Sequence, residues 1–160
     1  MSEVEFRARA AADEGVQVVA FQIGGELQAC DILLVQEVVT RLAVHPLPDM
    51  PPHLLGVVRL RGELVPVVDV APRLGLVLER GRAPSILISE LEGARVGVAA
   101  EVVHEVMAVP AGSFRPAPVT GADRGGYLVG VARVGTQLVN LIDLPELLRD
   151  QATLSHGETT

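Results

Sequence analysis

This chain of 160 residues lacks lysine and tryptophan and has one tyrosine and one cysteine. Its net charge is −7, and all 13 basic residues are arginines. Proteins that bind nucleic acid need cations to neutralise phosphates and, for single strands, aromatic rings that stack on bases. The chain has no basic run and few aromatic side chains, so we expect no nucleic acid partner.

The single cysteine, Cys30, excludes an internal disulfide framework. It lies in an apolar run, which is typical of a small core residue and not of a nucleophile. The first 15 residues lack the basic and apolar regions of an export signal. Because no apolar run is long enough to span a bilayer, we expect a cytoplasmic protein with no direct membrane insertion.

Valine dominates the apolar residues, with 26 copies, and β-branched side chains favour strands. The segment GVVRLRGELVPVVDVAPRL at 56–74 returns as GVARVGTQLVNLIDLPELL at 130–148, an offset of 74 residues. Residues 18–38 and 86–106 match at an offset of 68. The chain therefore contains an internal duplication, and each half must bury its apolar face against the other.

Turn and cap residues divide both halves into short segments. The expected strands cover Val16–Ile23, 26–30, 38–47, 55–60 and 63–70 in the first half, and 86–91, 95–100, 127–134 and 137–142 in the second. Helical turns are expected at 31–37 and 101–106, and a C-terminal helix at 143–149. Many short strands with little helix favour closed barrels, so we predict an all-β fold of two five-stranded barrels.

One domain is expected to cover residues 16–149, with one barrel from each half, at about 16–80 and 84–149. Residues 1–15 have no counterpart in the second half and are expected to form a flexible tail. Residues 150–160 are expected to form a polar C-terminal tail.

Several motifs in consistent order resemble the CheW family of chemotaxis adaptors. They are DILLVQEV at 31–38, GVVRLRGELVPVVDV at 56–70, VGVAAEVVHEV at 96–106, FRPAP at 114–118 and YLVGVARVGTQLVNLIDLPELL at 127–148. The resemblance implies two SH3-like five-stranded β-barrels around a shared core. It also implies a noncatalytic adaptor that couples the cytoplasmic tip of methyl-accepting chemoreceptors to the regulatory domain of the histidine kinase CheA. Recruitment to receptor arrays at the inner membrane would follow.

The chain departs from the family pattern at two places. Arg59 stands where the family usually has asparagine, and Ala71 and Pro72 stand where it commonly has arginine. Both changes touch an expected contact surface. A pilus-type or other non-flagellar chemosensory system therefore stays open as the pathway, as does an SH3-like interaction module of another pathway.

The best candidate for partner binding is the turn at Arg61 and Gly62. Gly62 allows a tight reversal, and Arg61 offers a five-donor guanidinium at an exposed tip. Two uses of Arg61 are open: contact with a carboxylate or carbonyl of a partner, or internal bracing to Glu37 or Asp69. The resemblance places Arg61 by the receptor and kinase surfaces.

Val35, Glu37 and Arg59 complete the candidate site. On a helical turn, Val35 and Glu37 would point in different directions, with Val35 either in the core or in a partner groove and Glu37 in water. The resemblance places this segment on the receptor side, whereas Arg59 is included for its proximity to Arg61 alone.

Nothing in the sequence indicates catalysis. The four histidines match no zinc spacing, and no GxxxxGK loop is present. Asp69 and Asp143 recur at equivalent places in the repeats and are expected to cap turns. A groove for proline-rich peptides needs more aromatic residues than this chain has. We therefore predict no catalytic residue, no metal site and no cofactor.

Overall fold

The computed structural model describes residues 16–79, 84–116 and 127–152. Its strands are β1 (Val16–Ile23), β2 (Glu26–Asp31), β3 (Glu37–Val39), β4 (Leu54–Leu60), β5 (Glu63–Val68), β6 (Ser85–Leu91), β7 (Ala94–Ala100), β8 (Val102–Val109), β9 (Phe114–Pro116), β10 (Leu128–Val134) and β11 (Gln137–Ile142). Short 3₁₀ turns form at Ile32–Leu34, Ala71–Leu74 and Ala111–Ser113, and the α-helix within these described ranges, α1, covers Leu144–Ala152.

The strands form two sheets. Sheet 1 has the order β8-β1-β2-β11-β10-β9, and sheet 2 has the order β3-β6-β7-β5-β4. Neighbouring strands are antiparallel except at β2–β11 and β5–β7, which are parallel. The predicted mainly β fold is confirmed, and closure of either sheet into a barrel stays a prediction.

Each sheet takes strands from both halves of the chain, which corrects the assignment of one barrel to each half. The β1–β2 hairpin pairs through β2 with β11 of the second half. The β6–β7 hairpin pairs through β7 with β5 of the first half. Local sequence specifies each hairpin, but the duplicated halves offer chemically similar strand edges, so the choice of partner is made in the tertiary structure.

Two expected helical segments differ from the structure. In the first, Asp31 Oδ1 accepts from the Leu33 amide at 3.0 Å, as expected of a cap, but the helical part ends at Leu34. In the second, the expected turn at 101–106 is wrong, because β8 is a strand paired with β1. Its β-branched valines suit a strand, and the ladder with β1 satisfies the backbone groups on the side that faces β1.

The segment expected as a strand at 38–47 is also largely irregular. Only Glu37–Val39 forms a strand there, paired with β6. Further along, His45 forms an isolated antiparallel bridge with Val57 of β4. The chain therefore runs from one outer strand of sheet 2 to the other.

A shared apolar core joins the two sheets. Phe21 and Ile23 of sheet 1 belong to the same buried cluster as Val67 and Val98 of sheet 2. A second, smaller cluster lies within sheet 1 and includes Val16, Ala132 and Val139. The shared cluster agrees with the expectation that neither half buries its apolar face alone.

The C-terminal helix closes part of the shared core. Leu144, Leu147 and Leu148 are buried, at the spacing of one helical face. Asp143 Oδ1 accepts from the Glu146 amide at 3.2 Å, which confirms the predicted cap. The helix continues to Ala152, beyond the predicted end at 149.

The expected N-terminal tail and residues 153–160 lie outside the described residues. Among the described residues, no helix has the length and apolar character needed to cross a membrane.

Candidate partner-binding surface

The hairpin tip between β4 and β5 has an unusual backbone. Arg61 has a φ of 51° and Gly62 a φ of 81°, both in the left-handed region. Two such residues are typical of the tight turns whose twist matches that of paired strands. Glycine adopts this geometry readily, whereas arginine there is uncommon.

Arg61 pairs with Glu37 across sheet 2. Its Nη1 donates to Glu37 Oε2 at 2.8 Å, and its Nη2 donates to Glu37 Oε1. Glu37 lies in β3 and Arg61 follows β4, and these are the two outer strands of the sheet. The internal bracing to Glu37 is therefore present. Asp69 has a different partner, because its Oδ1 accepts from the Ala71 amide at 3.0 Å, at the start of the following 3₁₀ turn.

The pair is held in a larger charged cluster, which we define as Glu37, Arg61, Glu63 and Arg95. Arg95 Nη1 of β7 lies 3.2 Å from Glu63 Oε1 of β5. The hydrogen bond from Arg61 lowers the pKa of Glu37, and the charge of Arg95 adds to the effect. Glu37 in turn raises the pKa of Arg61. Glu37 and Arg61 are thus both ionised at neutral pH.

The Arg61 side chain remains 64% exposed although it is paired. A guanidinium has five N–H donors, and the two bonds to Glu37 leave others for a partner. A Cβ built at Gly62 meets no atom within 4 Å. The tip is therefore an open surface with an oriented cation.

The structure brings Arg61, Gly62 and Glu37 together, with Val35 and Arg59 beside them in sequence. Val35 is extended, not helical as expected, and it is half-buried against the shared core. Arg59 is exposed on β4, opposite Leu64 of β5. Among the described residues, no hydrogen bond or ion pair joins Arg59 to the charged cluster.

Sequence reasoning missed Glu63 and Arg95 because they meet only through the parallel pairing of β5 with β7. The repeat does carry a signal for the cluster as a whole. The duplication places a counterpart of each cluster residue in the strands and turns of sheet 1. In the order Glu37, Arg61, Glu63 and Arg95, the counterparts are Glu105, Gly135, Gln137 and Leu27, of which only Glu105 is charged. The strand pairing supports this correspondence. Val38 of β3 lies opposite Leu87 of β6, and their counterparts Val106 of β8 and Val19 of β1 also lie opposite each other. The charged cluster is therefore specific to sheet 2.

Cys30 lies in the core, as expected. It is almost fully buried, and this burial raises the pKa of its thiol to about 12. A protonated, inaccessible thiol is not a nucleophile.

Comparisons with known proteins agree on one family. The model of the CheW-like domain matches residues 17–152. The chemotaxis protein CheW of Treponema pallidum is 32% identical over 142 residues, which cover 84% of this chain and 83% of that protein. The CheW of Klebsiella aerogenes is 30% identical and covers 86% of this chain and 84% of its own length.

A solved structure shows the same similarity in three dimensions. The scaffolding protein TtCheW of Thermoanaerobacter tengcongensis superposes with a TM-score of 0.72 at 29% identity. The match covers 84% of this chain and 92% of that one.

Proposed function

This chain belongs to the CheW-like domain family, and from that premise we propose that it is a noncatalytic adaptor coupling methyl-accepting chemoreceptors to a CheA-type histidine kinase. In this proposal its partners are the receptor cytoplasmic tip and the kinase regulatory domain. The protein would act in the cytoplasm, recruited to receptor arrays at the inner membrane, without a cofactor or metal.

The observation that carries the proposal is the exposed Arg61 held by Glu37. Two hydrogen bonds orient the guanidinium before a partner arrives, so less side-chain entropy is lost on binding. Its remaining donors suit a carboxylate or a backbone carbonyl. The absence of a side chain at Gly62 lets a partner backbone approach the tip.

Exposed apolar residues close in sequence to Glu37 and Arg61 could supply the apolar contacts that an interface needs. Leu33 is 78% exposed, and Val38 of β3 is also exposed. Both flank the Val35 to Glu37 segment, and Leu64 of β5 is exposed near the hairpin tip. Buried apolar anchors carry most of the binding energy in typical interfaces. We therefore assign the receptor contact to this segment and the hairpin tip.

Sedimentation velocity tests the proposal directly. The purified chain is mixed with a receptor cytoplasmic fragment, with the CheA regulatory domain, and with both. We expect a complex with each partner and a larger complex with the two together. A chain that binds neither partner contradicts the proposal, and binding of a proline-rich peptide in their place would favour the rival interaction module.

A further inference from the structure

Glu101 stands where the chain crosses between the two sheets. Strand β7 of sheet 2 ends at Ala100, and β8 of sheet 1 begins at Val102. One residue therefore separates a strand of one sheet from a strand of the other. Its conformation bears directly on how the sheets are oriented.

The carboxylate of Glu101 accepts hydrogen bonds from four donors, which lie in two parts of the chain. Its Oε2 accepts from the amides of Gly24 at 2.7 Å and Glu79 at 2.8 Å. Its Oε1 accepts from the Gly25 amide at 3.4 Å and from Gln22 Nε2 at 3.3 Å. The backbone adds a bond, because the Glu101 amide donates to the Gln22 carbonyl at 2.9 Å.

These donors lie on two segments, one in sheet 1 and one that follows the last turn after β5 of sheet 2. Gly24 and Gly25 form the turn between β1 and β2 of sheet 1. Glu79 belongs to the segment that leaves sheet 2 after the 3₁₀ turn at Ala71–Leu74. This segment lies against the glycine turn so closely that a Cβ at Gly24 would be 2.9 Å from Leu76 Cβ.

The charge state of Glu101 suits this role. Partial burial works to raise its pKa, but the hydrogen bonds from Glu79, Gly24, Gly25 and Gln22 outweigh burial and lower the pKa overall. The side chain is therefore an anion at neutral pH, surrounded by amide donors that favour negative charge.

The other half of the duplication forms its hairpin without such a group. At the offset of 68, Glu101 corresponds to Leu33, whose side chain is exposed. The corresponding turn at Glu92 and Gly93 has the same left-handed backbone. A carboxylate at this position is thus not required for the hairpin to form.

We propose that Glu101 is a positioning residue that holds sheet 1 and sheet 2 in one relative orientation. This inference rests on the proposed function for its consequence, because an adaptor that holds two partners at once needs a constant geometry between its faces. Glu101 itself lies apart from the charged cluster and acts through the backbone of the glycine turn and of residues 76–79.

The experiment compares Glu101→Gln with Glu105→Gln. The glutamine side chain has one acceptor oxygen in place of two. Its NH₂ group would face N–H donors that now bind Oε1 or Oε2, so at least one of these hydrogen bonds would be lost. Glu105 lies in β8, the strand that follows Glu101, and is exposed, and its replacement makes the same change in net charge. Spin labels at Leu64→Cys in sheet 2 and Leu138→Cys in sheet 1 report the separation of the sheets, since both side chains are exposed and Cys30 is buried.

We expect Glu101→Gln to broaden the distribution of label distances and Glu105→Gln to leave it unchanged. In unlabelled protein, Glu101→Gln should bind each partner alone as the wild type does. The affinity for the second partner in the presence of the first should fall about tenfold, within the usual range of coupling between sites. A variant that is merely less stable would not bind each partner normally and yet bind the second partner more weakly in the presence of the first.

Several outcomes decide the inference. An unchanged distance distribution in Glu101→Gln overturns it, whatever the partners do. If that variant does not fold, Gln22→Met removes one donor of the four, and a distribution as narrow as that of the wild type overturns the inference. If the wild-type chain binds neither partner, the proposed function fails, while the label distances still test the role of Glu101.

Discussion

The Tyr127 hydroxyl donates a 2.6 Å hydrogen bond to the backbone carbonyl of Arg73, and the Arg73 guanidinium lies 5.8 Å from the centre of the Tyr127 ring. Tyr127 precedes β10 in sheet 1, and Arg73 belongs to the 3₁₀ turn that follows β5 of sheet 2. The contact therefore joins the second half of the chain to the first, and it uses the only tyrosine in the sequence.

Replacing Tyr127 by phenylalanine keeps the buried ring and removes the hydroxyl. We expect Tyr127→Phe to lower the free energy of unfolding by about 1 kcal/mol, the usual net contribution of such a bond. For a chain of this size, that loss lowers the thermal midpoint by about 2–4 °C. Calorimetry measures the change, and a midpoint equal to that of the wild type would show that the bond contributes nothing.

Reversing the charge of Arg61 tests its contact with a partner. We expect Arg61→Glu to weaken binding to the receptor fragment or the kinase domain, while the thermal midpoint stays within a few degrees because exposed ion pairs contribute little to stability. Arg133→Glu, an exposed residue of β10, is the matched control. Calorimetry and sedimentation on the same samples give both quantities.

The exchange Glu37→Arg with Arg61→Glu separates contact from bracing. The double variant restores an ion pair between β3 and the hairpin tip, but the cation is now in β3 and the carboxylate is at the tip. Binding that stays weak in the double variant supports contact through Arg61. Binding that returns, or a large loss of stability in Arg61→Glu, would show that the residue acts by bracing.

The glycine that opens the repeated segment is needed for space in both halves. A Cβ at Gly56 would be 2.4 Å from the His45 carbonyl oxygen, and one at Gly130 would be 2.3 Å from that of Arg115. We expect alanine at either position to lower the free energy of unfolding by about 1–3 kcal/mol through overpacking. Gly112, where a Cβ meets no atom within 4 Å, is the control, and equal denaturation curves for all three variants would contradict the prediction.

Gln28 is buried in β2 at 1% exposure, opposite Phe21. Neither atom of its amide has a hydrogen-bond partner among the described residues. Desolvation of an unpaired amide costs about 1–3 kcal/mol, so Gln28→Met should raise the midpoint of chemical denaturation. A lower midpoint would indicate that an ordered water satisfies the amide in solution.

The contribution of Glu101 to stability should depend on pH. Its folded pKa is below the ordinary value of 4.5, so the folded state binds the proton less readily than the unfolded state. The stabilisation is fully present above pH 4.5 and is lost as the pH falls through the lower, folded pKa. Denaturation of wild type and Glu101→Gln over this range should show a difference that disappears in acid. A difference that persists unchanged would rule out the carboxylate charge as its source.

Much of the local structure could be predicted because it depends on neighbours in sequence. The strand Val16–Ile23 has its predicted bounds, and Asp31 and Asp143 cap the turns that follow them. The segment 101–106 was predicted wrongly as a helical turn because it pairs with β1, a strand some 80 residues earlier in the chain. Tertiary pairing overrides local preference in such strands.

The candidate site was predictable in part for the same reason. The turn at Arg61 and Gly62 follows from the residues between two strands. Bracing by Glu37 was one of two alternatives that the sequence left open, and the ion pair is now located. Arg95 and Glu101 could not be identified, because their partners come from strands and turns distant in sequence.

The amino-acid sequence by itself determined the duplication, the hairpins with their turns, the capped C-terminal helix, and a valine-rich interior. Each of these depends on contacts within a few residues or on the pattern of apolar side chains. The tertiary structure alone decided that each sheet combines hairpins from both halves, and that charges from β3, β5, β7 and the hairpin tip meet in one cluster. Two similar halves offer similar strand edges, so local sequence cannot choose between them, and the pairing depends on packing between distant segments such as the shared core.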